Sequence, residues 1–537
     1  MKTVILPRKH KFDTPRMLVA DAYTIGGDLF QNPDAGDKSV YYITFRRELH
    51  KANPDLYENG DNRLIFVGLQ DILEYLFYEP ITHKEIEETK KFLANFRANA
   101  NGLKRYHFNE PMWRDIVDNY NGRPPFKIEA LPEGSVAYPN EPIVQLTAFV
   151  PGKKWGELAA FFESKSLQLW AASERATANR HWLEYLRGMI RMVNPDLTPD
   201  EVDFQASILL HDFGDRAGMN WLESEQLGKT HLYSFAGTDT VAGAYQAWKN
   251  AGEVPGIACS VYAQAHRTIQ PWKNEADAYK ALYDVAESGD FLSQVADCYD
   301  YFHAVKEYLL PLALDSHNNN KQITIVARPD SGDAAEQILW TLRLAVENGL
   351  YTEHKGYKYP TTLKVIEGNE MTWITMRKLF QLLIDNGFAP HAWLVFGVGG
   401  GLRNGLKRDN FSWKYALCAA GIDDRPLIKL GGEDGGKNTL PGPFKLLRTQ
   451  DALDAGETVI RLRDGGDTAL VVYYDGSNIH KPFGPGQDDD FNVIKQRIQV
   501  DFKKMPKALS KKFPACEEIL ATRLRLSAIY KPEAQAV

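Results

Sequence analysis

The sequence predicts an α/β protein: a (β/α) barrel-like domain over about residues 201–425, beside a second α+β domain formed by the N-terminal flank, 1–200, and the C-terminal flank, 426–537, packed together. Three observations predict it. From about Asp203 to about Cys418, short apolar runs alternate with stretches of helical period. Each run ends in a cluster of glycine and polar residues. The flanks lack this alternation and mix strand-like and helix-rich stretches. Regular alternation of the two periods is the mark of parallel βα units, closed as a barrel or open as a doubly wound sheet.

Eight runs can be followed in order. Gln205 to Leu210 leads into His211-Asp212-Phe213-Gly214, and His231 to Phe235 into Gly237-Thr238-Asp239. Gly256 to Tyr262 leads into Ala265-His266, and Leu292 to Ala296 into Asp297-Cys298-Tyr299-Asp300. Ile323 to Ala327 leads into Arg328-Pro329-Asp330-Ser331-Gly332, and Leu363 to Ile366 into Glu367-Gly368-Asn369. Trp393 to Phe396 leads into Gly397-Val398-Gly399-Gly400-Gly401, and Ser412 to Cys418 is read as the last strand. Between them, Ala335, Ile338, Leu339 and Leu342 fall on one helix face, stopped by Asn348-Gly349. Met376, Leu379, Phe380 and Leu383 repeat the pattern before Asn386-Gly387. In the flanks, Arg63 to Leu69 and Ser135 to Val150 read as strands and Trp155 to Val193 as helix-rich. Glu457 to Leu462 and Thr468 to Tyr474 read as a hairpin around Gly465-Gly466.

Composition narrows the function. The formal net charge is −7, which argues against nucleic acid as the main partner. The four cysteines are widely separated, so a disulfide framework or zinc knuckle is not expected and a reducing compartment fits better. No run approaches eighteen apolar residues and the basic start is broken by prolines, so the expectation is a cytoplasmic chain with neither signal peptide nor membrane span.

The strand-end clusters carry the chemistry. In either architecture they converge on one rim, where such folds place their sites. Gly397 to Gly401 can bring backbone N–H groups close to phosphate oxygens, and Arg403, Lys407 and Arg408, on a following helix, can add charge. Arg328 offers a fork for phosphate, and Asp330 suits ribose hydroxyls or a divalent cation. Phe213 can stack on a flat base beside the cation Arg216, and His266 sits at another strand end. Gly228-Lys229-Thr230 mimics the end of a phosphate loop, but Glu223 stands where the first glycine is required.

At this point the sequence resembles the nicotinamide phosphoribosyltransferase family. The resemblance rests on His211-Asp212-Phe213-Gly214-x-Arg216, Gly237-Thr238-Asp239-Thr240-Val241-Ala242-Gly243, Arg328-Pro329-Asp330-Ser331-Gly332 and Phe396-Gly397-x-Gly399-Gly400-Gly401-Leu402, in order. It extends to Leu18-Val19-Ala20-Asp21-x-Tyr23 and fades after about Arg448. The resemblance implies a type II phosphoribosyltransferase barrel that transfers phosphoribosyl from phosphoribosyl pyrophosphate to nicotinamide in NAD salvage. It implies Mg²⁺ with unassigned ligands, and a homodimer with shared active sites.

The same resemblance implies roles. Phe213 would stack on nicotinamide, with Asp21 nearby and Tyr23 from the other subunit over the opposite face. Asp239 would accept from the carboxamide. Arg216, His266 and Arg328 would hold phosphate or pyrophosphate, and Asp330, Gly368 and Asn369 would face the ribose. Gly400 and Arg408 would hold the 5′-phosphate, and Gly399 would be a further substrate-binding residue. ATP would be a co-substrate able to phosphorylate His266, with Lys437 helping to bind it. The sequence departs from the family at Ala265 and Asn369, where acidic residues are expected, and at Thr24-Ile25-Gly26-Gly27. The alternatives are nicotinate phosphoribosyltransferase and a barrel that binds nucleotide without turnover.

Overall fold

The computed structural model describes residues 14–530 apart from 31, 33–34, 97–104, 404, 432–437, 450–453, 455–457, 463–465, 481–488 and 511–514. Six parallel strands lie side by side in the order Leu210–Asp212, Leu394–Val398, Leu363–Glu367, Thr324–Arg328, Phe291–Val295 and Tyr262–Gln264. Single parallel bridges join Asp212 to Thr238 and Gly237 to Cys259, and Cys259 lies on the segment that runs into Tyr262. Seven parallel segments therefore follow one another around a ring in chain order. Their apolar runs are buried, as in Ile325, Val326 and Ala327, because helices cover the outside and side chains fill the inside.

The helices form where the period predicts. Ala334–Glu347 is capped by Asp333, whose side chain accepts from the Glu336 N–H, and it buries Ile338, Leu342 and Ala345. Trp373–Asp385 is capped by Thr372 and buries Met376, Leu379, Phe380 and Leu383. Gly349 and Gly387 stop them with φ of +75° and +74°, which a side chain would strain.

Two of the eight expected barrel strands are not there. His231 ends the helix Trp221–His231, and the residues to Phe235 continue as turns. They are apolar because that turn is buried, and the barrel position passes to Gly237 and Thr238. Ser412 to Cys418 overlaps a real strand, Lys414–Ala420, but it pairs antiparallel with Lys38–Thr44 in another sheet. An apolar run shows burial without showing which sheet does the burying. The first and third runs also begin late, since Gln205 belongs to the helix Pro199–Ser207 and the third strand starts at Tyr262.

The other six-stranded sheet is ordered Arg425–Pro426, Lys414–Ala420, Lys38–Thr44, Val144–Phe149, Phe126–Ala130, Val471–Tyr474. It draws strands from both flanks and from the end of the central region. The expected C-terminal hairpin is absent: Val459–Leu462 pairs with Phe444–Leu447, while Val471–Tyr474 pairs with Phe126–Ala130. Of Arg63 to Leu69, only Leu64–Ile65 is strand, and a helix begins at Leu69. The long helix Leu169–Val193 buries residues along most of its length. Among the described residues no helix is long and apolar enough to cross a membrane.

Candidate active site

Three successive strand ends build one side of the barrel mouth. Arg328 closes its strand, and its Nη2 donates to Asp330 Oδ1 at 2.7 Å. His266 follows the strand Tyr262–Gln264, with Nε2 3.0 Å from Asp297 Oδ1 and Nδ1 3.9 Å from Asp330 Oδ2. Asp297 follows the strand Phe291–Val295, and its other oxygen accepts from Ser331 Oγ. The result is a continuous chain of partners: Arg328, Asp330, His266, Asp297, Ser331. Ala265 precedes His266 and has no side-chain oxygen to cap it; instead its N–H donates to Thr268 Oγ1 at 3.0 Å.

Phe213 reaches the same place from the first strand. Its N–H donates to the Val398 carbonyl at 3.1 Å, and its ring centre is 5.8 Å from the Arg328 guanidinium carbon. A side chain at Gly397 would overlap the Phe213 ring, and one at Gly368 would come within 2.8 Å of the Gly397 carbonyl oxygen. One at Gly401 would overlap the Met371 carbonyl. The glycine run thus admits an aromatic ring and neighbouring backbone, besides forming the turn Gly400–Leu402 that Gly399 precedes. Beside this floor, Glu367 Oε1 accepts from the Asn369 N–H at 2.7 Å. Its Oε2 is buried without a partner, and burial raises the carboxyl to about 7.

Behind Phe213, Asp212 is fully buried between Arg175 and Arg403. Arg403 is not on a solvated helix: it follows the Gly400–Leu402 turn and is buried. Lys407 and Arg408 are exposed, and Arg408 pairs with Asp409 at 2.7 Å. The loop carrying them is tied to Glu174, whose Oε2 accepts from the Lys407 N–H at 3.4 Å and from Asn410 Nδ2 at 3.1 Å. Burial raises the Glu174 carboxyl to about 8.

The remaining candidates are more dispersed. Asp239 is exposed and accepts from Ser260 Oγ at 2.5 Å, while its N–H donates to the Asp212 carbonyl at 2.9 Å. It does not cap the following helix, Val241–Asn250, whose N-cap is Thr240. Arg216 is exposed in the short turn Asp215–Ala217. Tyr23 is 63% exposed, and its hydroxyl lies 3.4 Å from Asp21 Oδ2 and 3.5 Å from Glu163 Oε2. Lys437 lies outside the described residues. Among the described residues no group of three or more His, Cys, Asp or Glu side chains is arranged to hold a metal ion.

Four residues around the mouth were not singled out by sequence. Asp297 had a signal, since it lies in a polar cluster at a strand end. Glu367 sits one residue before the named Gly368. Arg175 and Glu174 had none, because a charged pair inside a helical stretch reads as a solvated face.

The family model described as the nicotinate phosphoribosyltransferase (NAPRTase) family matches residues 208–428, and the nicotinamide phosphoribosyltransferase N-terminal domain model matches 16–128. The chain is 30% identical over 481 residues to a nicotinamide phosphoribosyltransferase of Xanthomonas campestris pv. campestris (strain 8004), covering 87% of this chain and 95% of the relative. It is 26% identical over 474 residues to one of Acinetobacter baylyi, covering 82% and 90%. In fold it is similar to the crystal structure of human nicotinic acid phosphoribosyltransferase, with TM-score 0.57 and 14% identity over 95% of this chain and 100% of that one. The nicotinate-nucleotide pyrophosphorylase of Pyrococcus furiosus gives TM-score 0.54 and 14% identity over 94% and 99%.

Proposed function

The chain belongs to the nicotinamide phosphoribosyltransferase family, and we infer that it joins nicotinamide to the ribose of phosphoribosyl pyrophosphate, giving nicotinamide mononucleotide for NAD salvage. One observation carries this reading to the residues: Phe213, His266 and the Arg328–Asp330 pair converge on one barrel mouth from three strand ends. The pyridine nitrogen has its own lone pair, so no general base is needed. It attacks C1 of the ribose as the C1–O bond breaks and pyrophosphate leaves. The protein must hold the ring flat, stabilise positive charge at C1 and bind the departing anion. Phe213 supplies the plate, Asp330 the carboxylate near the sugar, and Arg328 and Arg216 the cations for the leaving group. Gly368 and Asn369 border the ribose, and Gly399, Gly400 and Arg408 hold the 5′-phosphate.

Mg²⁺ bound with the diphosphate would neutralise leaving-group charge, and such an ion needs only one or two protein carboxylates because phosphates and water complete its shell. Asp297 and Asp330, which flank His266 at the mouth, could supply those carboxylates. ATP phosphorylates His266 in this reading, with Lys437 near the nucleotide, and Asp297 holds the imidazole in place. The active unit in this reading is a homodimer, in which Tyr23 and Asp21 of a second copy cover the nicotinamide; the exposure of Tyr23, whose hydroxyl lies near Asp21 and Glu163, is compatible with that role. A cytoplasmic location belongs to the same reading.

Nicotinate is the competing substrate, since the model matching 208–428 takes its name from it. Asp239 favours nicotinamide, because a carboxylate accepts from a carboxamide NH₂ and repels a second carboxylate. Pyrophosphate release should be fast with nicotinamide, slow with nicotinate and absent without a base, and ATP should stimulate it. Asp239→Ser should narrow the ratio between the two bases without changing the melting temperature, since Asp239 caps no helix. Equal rates with both bases in the wild type would overturn the substrate assignment.

A further inference from the structure

Beneath the mouth lies a charge that the chemistry above does not use. Arg175 projects from the helix Leu169–Val193, Arg403 follows the Gly400–Leu402 turn, and Asp212 ends the first strand. Their side chains are 1%, 2% and 0% exposed. Arg175 Nη2 is 3.7 Å from Asp212 Oδ1, and Arg403 Nη2 is 3.5 Å from Oδ2. Two guanidinium groups thus share one carboxylate, which also accepts the Gly214 N–H at 2.9 Å.

His231 does not alter the balance in either direction. Its Nε2 lies 3.2 Å from the Leu210 carbonyl and 3.1 Å from the Gly237 carbonyl, so that nitrogen carries the proton. Its Nδ1 lies 3.2 Å from Arg175 Nη2 and therefore accepts with its lone pair. The imidazole is neutral, and burial with the nearby Arg175 holds it down at about 3. Among the described residues no other carboxylate pairs with either guanidinium, and Arg175 Nε, Arg403 Nε and Arg403 Nη1 are buried without hydrogen-bond partners. A sealed cation in excess is unfavourable unless an anion stands close by.

Both arginines touch the loops that border the site. Arg175 Nη1 donates to the Leu402 carbonyl at 3.1 Å, and the Arg403 guanidinium lies so close to Gly214 that any side chain there would overlap it. We propose that Arg403, backed by Arg175, is a positioning residue whose surplus positive charge is completed by the phosphate group of the substrate held at the Gly399–Gly400 turn. This rests on the phosphate assignment made under Proposed function. The guanidinium acts through the protein from below, without touching the ligand.

The sealed charge makes stability and affinity move in opposite directions. Removing one of two cations around one carboxylate leaves a matched Arg175–Asp212 pair. Ligand-free Arg403→Met should therefore melt at the same temperature as the wild type or higher. It should bind phosphoribosyl pyrophosphate and inorganic phosphate on the order of tenfold more weakly in calorimetric titrations, the effect of one unit charge acting through protein at short range. Arg403→Lys, which keeps the charge without the fork, should stay within about threefold of the wild type on the same electrostatic argument. Unchanged affinity in Arg403→Met overturns the proposal. So does weaker binding accompanied by a lower ligand-free melting temperature that lysine does not restore, because that is the signature of packing. A wild type that binds no phosphoribosyl pyrophosphate overturns the phosphate assignment itself.

Discussion

On one side of the barrel mouth, Arg328, Asp330 and His266 pair with one another, with side chains 19%, 31% and 37% exposed. On the other, Arg175, Asp212 and Arg403 are sealed from water. The difference separates two tasks. Partly exposed ion pairs hold each other weakly, so an incoming diphosphate or sugar can take over their hydrogen bonds at little cost. Sealed charges cannot rearrange, so they present a fixed field and a fixed floor under Phe213. The open side is suited to exchange partners during turnover, and the closed side to hold shape.

Three experiments would break or sharpen this contrast. The largest effect is expected on the closed side. Gly397→Ala would force a methyl group into the Phe213 ring, and a displaced plate should lower turnover with nicotinamide by about a hundredfold or more. Initial rates at saturating phosphoribosyl pyrophosphate would check it, and a rate within about threefold of the wild type would show that the floor can give. On the open side, Arg328→Ala should weaken phosphoribosyl pyrophosphate binding roughly 10- to 100-fold, the size of losing hydrogen bonds to a charged group. Its circular dichroism should not change, and a near-normal titration would remove Arg328 from the phosphate contacts.

The last experiment reads stability and not turnover or binding, and concerns the boundary between the two sides, where Glu367 is buried beside the rim. Burial raises its carboxyl from 4.5 to about 7, so the folded state binds the proton more tightly than the unfolded state does. Stability contributed by this group is therefore complete below about 4.5 and lost as pH rises through about 7. Glu367→Gln removes the titration. Relative to the wild type it should gain on the order of 2–3 kcal/mol between pH 4.5 and 7.5. Melting curves across that range would show the difference widening with pH, and a constant difference would mean that the carboxyl binds its proton equally well folded and unfolded.

Much of this was legible in the sequence because parallel strands deliver their chemistry at their ends. Phe213, His266, Arg328 and Asp330 each follow an apolar run closely, and that geometry needs no tertiary information. The helices were legible for a similar reason: Ile338 and Leu342, or Met376 and Leu383, repeat at the helical period whatever they pack against. What failed was anything decided by the partner. Lys414–Ala420 looks like a barrel strand because it is buried, yet its neighbour is Lys38–Thr44, hundreds of residues away in sequence. Arg175 and Arg403 were illegible as buried groups, because a lone arginine gives no sign of the carboxylate that will enclose it.

The ring of strands is not equally firm all the way round. Its paired strands share three to five registered residues, but the second segment is held by one bridge on each side, at Asp212–Thr238 and Gly237–Cys259. Fewer cross-strand bonds mean a lower cost of local opening. The barrel therefore has a seam, and that seam leads directly into Asp239 and its partner Ser260. Amide protons from 237 to 260 should trade with solvent deuterium sooner than those of the strand Thr324–Arg328, so the wall proposed to meet the nicotinamide carboxamide is the part of the ring expected to open first.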